Sequence, residues 1–365
     1  MVLTVSSLQG SGGGGDGMLS YTDDGRIDIL GLMPEELEEQ ILLIGEKKFR
    51  AKQIFEWLHV KRVDSFDKMT NLSVQLRDKL KKIFCLKSLF IVKRLESNTD
   101  NTVKYLYRLP DGNHVESVIM EYNHGNTVCV STQVGCKMGC KFCASTIAGY
   151  KRDLSASEIL LQIYEAERDS GRKIGGAVLM GIGEPLDNYD NVVGFLKVLS
   201  CEAGMNMSLR HVSVSTCGLV PRIYELAELK LGITLSVSLH ATNNRARSEI
   251  MPVNNRYDIA ELMAACRYYF KVTGRRISFE YALIDGHNDS QAAAEELAAL
   301  LRGFTCHVNI IPVNKIKERD YRSDRKAAMR FQKRLEALGL NATVRRTLGA
   351  DIDAACGQLR REYEI

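Results

Sequence analysis

The chain has 365 residues, of which 45% are hydrophobic and 26% are charged, and its formal net charge is +4. This length exceeds what one hydrophobic core usually encloses, so we expect a main domain with an accessory domain. The sequence lacks a run of about 20 apolar residues that could span a bilayer, and its N-terminus lacks the basic-then-apolar order of a signal peptide. We therefore expect a cytoplasmic protein with no membrane contact. Ten cysteines in a chain without an export signal favour reduced thiols over a disulfide scaffold.

The N-terminal part of the chain predicts a flexible tail followed by a small helical domain. Residues 1–17 are rich in glycine and serine and have few apolar side chains to bury. Beyond this tail the apolar residues recur at helical spacing. Pro34 suits a first helical turn, Gly45 suits a helix end, and another helix is expected after Ser73. We assign residues 18–95 to a helical accessory domain.

Two stretches of the chain have an excess of basic residues, and the first of them lies in this accessory domain. Residues 47–94 hold fourteen Lys and Arg against four Asp and Glu, and residues 315–334 hold nine against three. Such concentrations in a chain of small net charge favour a polyanionic partner, because phosphates attract them. The alternative is that each run is a solvated face of a basic helix.

The central part of the chain predicts a hairpin and then a parallel sheet. Residues 103–121 alternate around a Pro-Asp-Gly-Asn turn and predict a β-hairpin, in a linker over residues 96–125. Ser155 and Glu158 form a capping box for a helix over 156–169. Six strand-like runs, separated by helical stretches, lie at 126–132, 176–181, 211–216, 233–240, 277–284 and 307–313. This alternation predicts either an incomplete α/β barrel or a doubly wound fold.

Polar and glycine-rich motifs follow the strands of this predicted sheet. In chain order they are CKMGCKFC, GIGEP, STCG, SLH and PVN. Barrel enzymes keep their active sites at the C-terminal ends of their strands, so this placement favours the barrel. We expect an α/β fold with an incomplete (β/α)6 barrel over residues 126–340 and a C-terminal segment over 341–365.

Three cysteines, Cys136, Cys140 and Cys143, lie close together and are called the cysteine triplet below. Their C-x3-C-x2-C spacing cannot supply four ligands to a structural zinc ion, and no histidine lies at zinc-finger spacing beside them. The spacing suits a 4Fe-4S cluster with three irons held by thiolates and the fourth left open. Together with Phe142 it also resembles the signature of the radical S-adenosylmethionine (SAM) enzymes. Zinc, a redox disulfide and chance spacing are the alternatives.

Several longer motifs occur in order along the chain: KKFRAKQIFEWLH, CVSTQVGCKMGCKFCAS, MGIGEPLDN, SVSLHATN, IIPVN and GADIDAACGQL. In these motifs the chain resembles the RlmN family of dual-specificity RNA methyltransferases. The resemblance implies a radical SAM barrel, a 4Fe-4S cluster and two SAM molecules per turnover. It also implies methylation of adenosine C2 in 23S rRNA, at the peptidyl-transferase centre, and in tRNA, 3′ of the anticodon. The SAM contacts that it implies are Gly183, Glu184, Ser215, Ser238, Leu239, His240 and Asn314.

The same resemblance implies three catalytic residues and their roles. Cys356 accepts a methyl group from one SAM molecule, and a radical made from a second SAM takes a hydrogen from this methyl group, so that the carbon adds to adenine C2. Glu116 then removes the C2 proton, while Cys129 attacks the Cys356 sulfur and releases the product, leaving a Cys129–Cys356 disulfide. The expected partners are therefore rRNA and tRNA, which the resemblance and the basic residues assign to the accessory domain over residues 18–95, together with an external electron donor and a thiol reductant. We expect a monomer.

The residues alone allow simpler interpretations at several of these positions. Cys129 lies in an apolar strand, where buried packing cysteines are common, and Glu116 falls on a polar hairpin face, where a solvated carboxylate is expected. His240 has the alternative of a core histidine, whereas Cys217 is expected to line the site because it follows the ST of the third strand. Two other functions stay open. One is methylation of adenine C8, a sister activity against which Pro185 argues by resemblance, and the other is a non-catalytic, zinc-bearing RNA-binding protein.

Overall fold

The computed structural model describes residues 19–312, apart from residue 23, and residues 325–352. Contacts between these residues divide the chain into two compact units. The first unit consists of the chain up to Leu89 together with Ser155–Tyr164 and Asp190–Met207, and the second unit consists of Phe90–Leu154, Glu165–Tyr189 and the chain from Ser208 onward. Within the described ranges, no helix combines the length and the apolar character that crossing a membrane requires.

The first unit contains the helices that the N-terminal sequence predicts. Its N-terminal elements are β1 (Ile27–Asp28), α1 (Pro34–Leu43), α2 (Phe49–His59), α3 (Val74–Ile83) and β2 (Phe84–Cys85). Pro34 stands in the first turn of α1, where no backbone donor is needed. The Ser73 Oγ accepts a hydrogen bond of 3.2 Å from the Leu76 N–H and so caps α3. These observations confirm the predicted helix starts.

The second unit is built on a sheet of ten strands, with one short strand pair beside it. The strands are β3 (Phe90–Glu96), β4 (Val103–Arg108), β5 (His114–Tyr122), β6 (Gly125–Cys129), the β7 (Gln133–Val134) and β8 (Arg152–Asp153) pair, β9 (Ile174–Leu179), β10 (Val212–Thr216), β11 (Thr234–Ser238), β12 (Ile277–Leu283), β13 (Cys306–Pro312) and β14 (Ala342–Val344). Strands β3 to β6 are antiparallel, and β6, β9, β10, β11, β12, β13 and β14 follow one another in parallel.

The strand order decides between the two predicted folds. A doubly wound sheet reverses its order at a switch point, whereas these parallel strands keep their chain order across the sheet. This sequential order is that of a barrel, and among the described strands the sheet stays open, with β3 at one edge and β14 at the other. The prediction of an incomplete barrel is therefore confirmed. The short edge strand β14 and the exposed strand β3 were not predicted.

Helices alternate with the parallel strands along the chain. They are α4 (Ala156–Ser170), α5 (Tyr189–Ser200), α6 (Val220–Glu228), α7 (Asn244–Ile250), α8 (Ile259–Thr273), α9 (Gln291–Leu300) and α10 (Arg325–Ala337). The predicted capping box is present at the start of α4, where the Ser155 N–H donates to the Glu158 carboxylate at 2.9 Å. Gly274 ends α8 in the left-handed conformation, with φ of +64°. The connections place the C-terminal strand ends at one edge of the sheet, where the site lies.

Candidate active site

A cavity of about 300 Å³ opens at the C-terminal strand ends of the second unit. Most of the residues expected there line it, namely Cys136, Cys140, Cys143, Gly183, Glu184, Ser215, Cys217, Ser238 and His240. Leu239 is buried beside this wall and does not line the cavity. Asn314 and Cys356 lie outside the described residues. The volume is at the lower end of the range for cofactor and substrate pockets.

The cysteine triplet lines this cavity. No disulfide joins any two of the nine cysteines in the described part of the chain, and Cys136 and Cys140 are buried. Burial raises the pKa of the Cys136 thiol to about 12, so the thiol keeps its proton until a metal ion replaces it. Three soft sulfur donors on one cavity wall fit a 4Fe-4S cluster, whose irons are held by thiolates. The donor set therefore fits the group that the spacing predicts.

The GIGEP loop after β9 needs glycine at two positions. A Cβ at Gly181 would lie 2.5 Å from the Val130 carbonyl oxygen, and a Cβ at Gly183 would lie 2.6 Å from the Gln133 Cβ. Gly183 also has a φ of +110°, which side chains other than glycine rarely adopt. The Gln133 Oε1 accepts a hydrogen bond of 2.8 Å from the Glu184 N–H. Close packing on the chain after β6 thus fixes the position of Glu184.

The Glu184 carboxylate joins the ends of two strands. It is buried, and it accepts hydrogen bonds from the Cys217 N–H at 2.7 Å and the Leu186 N–H at 3.1 Å. Burial raises the pKa of this carboxyl group. A carboxylate that lines a cavity can bind an amino group through charge-assisted hydrogen bonds.

His240 is held in a strained backbone conformation at the end of β11. Its φ is +56°, an uncommon value for a residue with a side chain. The His240 Nδ1 accepts a hydrogen bond of 2.8 Å from the Ala282 N–H, so the proton of the neutral ring is on Nε2. Burial lowers the pKa of His240 to about 3. The ring is neutral at physiological pH, and its edge lies against Phe142 of the triplet loop, with ring centroids 4.7 Å apart.

Two buried polar residues that the sequence analysis missed hold these strand ends. The Asn288 Nδ2 donates to the carbonyl oxygens of His240 and Ala282, at 2.8 Å each. Arg247 is fully buried, and its guanidinium donates to the carbonyl oxygens of Cys217, Ser238 and Leu239. Neither residue has a local sequence signal, because its partners lie on other elements of the fold.

Glu116 is buried and not solvated, unlike the expectation from its hairpin position alone. Its carboxylate lies 3.1 Å from the Lys104 ammonium, and the Lys104 side chain has no solvent exposure. The Ser131 Oγ donates to the Glu116 carbonyl oxygen at 2.7 Å and accepts from the Ile182 N–H at 3.1 Å. Ser131 therefore connects the strand of Glu116 to the GIGEP loop.

Cys129 lies on the same sheet face as Glu116. In the register of β4, β5 and β6, Val118 is opposite both Lys104 and Cys129, and Glu116 is two residues from Val118, so these side chains share a face. Val118, Met120 and Cys129 form a buried cluster against which Met180 and Leu348 pack. Met180 also lines the cavity. The face that carries the predicted base and the predicted resolving cysteine thus continues into the cavity wall.

Comparison with known proteins identifies the chain's relatives. Residues 27–86 match the ribosomal RNA large subunit methyltransferase N-terminal domain, and residues 130–298 match the radical SAM superfamily. A probable dual-specificity RNA methyltransferase RlmN of Lachnoclostridium phytofermentans is 54% identical over 95% of this chain and 97% of that protein. The chain belongs to the RlmN family. Another such RlmN protein, from Lachnospira eligens, is 53% identical over 92% of this chain and 96% of its own length.

A solved structure agrees with the family assignment. The crystal structure of a radical SAM methyltransferase from Sphaerobacter thermophilus superposes with a TM-score of 0.86 and 44% identity, covering 91% of this chain and 98% of that one. As a member of the RlmN family, the chain is a radical SAM RNA methyltransferase whose cofactors are a 4Fe-4S cluster and SAM. The alternative of a non-catalytic zinc protein does not agree with this membership.

Proposed function

We propose that this RlmN-family enzyme methylates C2 of adenosine in 23S rRNA, at the peptidyl-transferase centre, and in tRNA, 3′ of the anticodon. The methyl group is carried on Cys356. The observation that supports this proposal most directly is the sheet face that Glu116 and Cys129 share, because it continues through Met180 into the cavity wall. Simple methyl displacement at an amine needs neither a second thiol nor a buried base beside the SAM pocket, whereas methylation at carbon through a thioether needs both.

The target carbon explains these requirements. Adenine C2 lies between two ring nitrogens and is electron-poor, so it does not displace a methyl group from a sulfonium as an amine does. When bound, the cluster and SAM supply a carbon radical that can activate the methyl group on a sulfur atom. The residues of the chain then carry the group, accept the proton and release the product.

Glu116 is the proton acceptor in this proposal. A carboxylate that is buried without a partner is strongly destabilised, and the Lys104 ammonium at 3.1 Å compensates its charge. Cys129 is the resolving thiol, whose attack on the Cys356 sulfur releases the methylated base and forms the Cys129–Cys356 disulfide. A cellular thiol reductant then restores both thiols, and an external donor supplies the electron to the cluster.

Exposed basic residues are proposed to hold the RNA phosphates. On the first unit Lys47 and Lys52 are exposed, and no described carboxylate forms an ion pair with either of them. Lys48, by contrast, lies 2.6 Å from Glu38. The described part of the second basic run is α10, which exposes Arg325, Lys326, Arg330 and Lys333. Binding through these residues would be sequence-independent and sensitive to salt.

The Cys129→Ala variant tests the proposal. It should still methylate Cys356 and attack adenine, but it should stop with RNA covalently attached, because no thiolate remains to break the link. A gel shift that survives denaturant and disappears with ribonuclease reports this adduct. Cys201→Ala is the matched control, since Cys201 belongs to the first unit and not to the sheet face that Glu116 and Cys129 share, and it should release methylated RNA as the parent does. Free methylated RNA from Cys129→Ala at the parent rate would contradict the proposal, and mass spectrometry of the modified nucleoside distinguishes C2 from C8.

A further inference from the structure

The turn between β3 and β4 binds a stretch of chain that follows β14. The Asp351 carboxylate accepts hydrogen bonds from the Ser97 Oγ at 2.7 Å and from the Asn98 N–H at 2.9 Å. In the opposite direction, the Asp100 carboxylate accepts a hydrogen bond of 2.7 Å from the Gly349 N–H. Each side of the contact therefore supplies one carboxylate and donates hydrogen bonds to the carboxylate of the other side. The partners are about 250 residues apart in the chain.

The turn is organised by its own hydrogen bonds, independently of this contact. The Ser97 N–H donates to the Thr102 carbonyl oxygen at 2.8 Å, and the Thr102 N–H donates to the Asp100 carboxylate at 3.1 Å. Hydrogen bonds lower the pKa of the Asp351 carboxyl group, those from Ser97 and Asn98 being the largest contributions. The turn is thus preformed, and Asp351 is ionised at neutral pH.

The residue just before this contact touches the cluster that contains Cys129. Leu348 packs against Val118, Met120 and Cys129. The chain after β14 thus runs across the face that carries the proposed resolving thiol and is then bound at Asp351. Cys356 follows Asp351 by five residues.

We propose that the turn Ser97–Thr102 is a docking site for the C-terminal segment of the same chain, and that Asp351 is the positioning residue that brings Cys356 within reach of Cys129. This inference rests on the roles proposed above for the two cysteines. It adds a binding surface outside the cavity to the machinery of the reaction.

Chain geometry gives the size of the expected effect. Cys356 lies twelve residues after Val344, the end of β14, and five residues after Asp351. At about 3.4 Å per residue, its reach is about 41 Å from Val344 and about 17 Å from Asp351. The accessible volume scales with the cube of the reach, and the two reaches differ by a factor of about 2.4, so docking raises the effective concentration of the Cys356 thiol at Cys129 by up to about fourteenfold.

The equilibrium of the Cys129–Cys356 disulfide measures this effective concentration without requiring turnover. The reconstituted holoenzyme is equilibrated under argon with reduced and oxidised glutathione. For each Cys129–Cys356 disulfide that forms, one oxidised glutathione takes up the two electrons and two protons of the protein thiols and becomes two reduced glutathione molecules. Acid quenching and peptide mass spectrometry then quantify this disulfide. Asp351→Ala, which keeps the hydrogen bond from the Gly349 N–H to Asp100, should lower its equilibrium constant more than twofold, up to the limit of about fourteenfold, and Asp351→Asn, which keeps one acceptor oxygen, should fall between it and the parent.

Asp24→Asn is the matched control. Like Asp351, Asp24 is exposed and accepts hydrogen bonds from a hydroxyl group, that of Thr22, and from a backbone N–H, that of Arg26. It should leave the disulfide equilibrium unchanged. If Asp351→Ala does not fold, Ser97→Ala replaces it as the test. This variant removes one of the two hydrogen bonds to the Asp351 carboxylate and must also lower the equilibrium constant of the disulfide. If the disulfide forms in the parent and its equilibrium constant in the Asp351 variants is the same within twofold, the docking site is overturned and the proposed function stays intact. A parent that never forms this disulfide overturns the docking site together with the resolving role of Cys129.

Discussion

Replacing Arg247 by methionine should both destabilise the second unit and weaken SAM binding. The guanidinium is fully buried and makes four hydrogen bonds. Three of its acceptors are carbonyl oxygens of Cys217, Ser238 and Leu239, at 2.6, 3.1 and 3.1 Å. Methionine fills much of the volume but donates no hydrogen bond, so these carbonyl groups would be buried without their donor.

The magnitude follows from the number of carbonyl groups that lose their donor. A buried acceptor without a partner costs about 1–3 kcal/mol, so three of them cost roughly 3–9 kcal/mol. Removing a buried cation returns several kcal/mol of desolvation energy, which offsets part of this cost. We expect a net decrease of about 2–4 kcal/mol in the free energy of unfolding, which is typical of a broken buried network. The Cys217 N–H that binds Glu184 would move with its strand end, so SAM affinity should fall by about tenfold, or about 1.4 kcal/mol.

Urea denaturation and equilibrium dialysis of SAM, both performed anaerobically, measure the two effects. Arg222→Met is the matched control, because Arg222 is an arginine on an exposed helix face, in α6, where it pairs with Glu225. Its loss should change the free energy of unfolding by no more than about 0.5 kcal/mol. If Arg247→Met and Arg222→Met have the same free energy of unfolding and the same SAM affinity, Arg247 does not hold the strand ends through its hydrogen bonds.

Two further predictions concern the first unit. Changing Lys47, Arg50 and Lys52 to glutamine should weaken RNA binding and flatten the plot of log affinity against log salt by up to about 0.9 per lost duplex phosphate contact. Changing Lys68, which is already paired with Asp64, should have less effect. An unchanged slope in the triple variant would mean that the basic residues of 47–94 form a solvated helix face and do not bind RNA. His59 is buried, and burial lowers its pKa from 6.5 to about 3, so only the unfolded state gains a proton on this side chain as the pH falls from 6.5 towards 3. The free energy of unfolding should therefore decrease by up to about 1.4 kcal/mol per pH unit as the pH falls through this interval. In urea titrations at pH 6.5, 5.5 and 4.5, His59→Gln should flatten this pH dependence. An equal pH dependence in both proteins would contradict a lowered pKa of His59 in the folded state.

The barrel could be predicted because its signals are local. Alternating apolar runs fix the strands, and polar motifs after them mark one edge of a parallel sheet. The cysteine triplet is recognisable for the same reason, since three candidate ligands within eight residues need no tertiary information. The two glycines of the GIGEP loop were visible as a motif, but the atoms that exclude a side chain there, Val130 O and Gln133 Cβ, are visible only in the fold.

Long-range contacts account for what the sequence did not reveal. The alternation of the hairpin places Glu116 on one face, but it cannot show that this face is covered and that Lys104 neutralises the carboxylate. Arg247 lies in a helix with ordinary polar neighbours, and its buried role depends on carbonyl groups of other strands. Asp351 meets its partners across more than 250 residues. The grouping of Ser155–Tyr164 with the N-terminal helices in one unit is likewise a property of the folded chain.

The central claim is that the methyl group passes through Cys356 and loses a hydrogen before it reaches adenine C2. SAM carrying a trideuterated methyl group tests this claim most directly when the RNA product and the released 5′-deoxyadenosine are analysed by mass spectrometry. We expect a C2-methyl group with two deuterium atoms and one hydrogen from solvent, and one deuterium in 5′-deoxyadenosine. A methyl group that retains all three deuterium atoms, or one found on a nitrogen of the base, would contradict it.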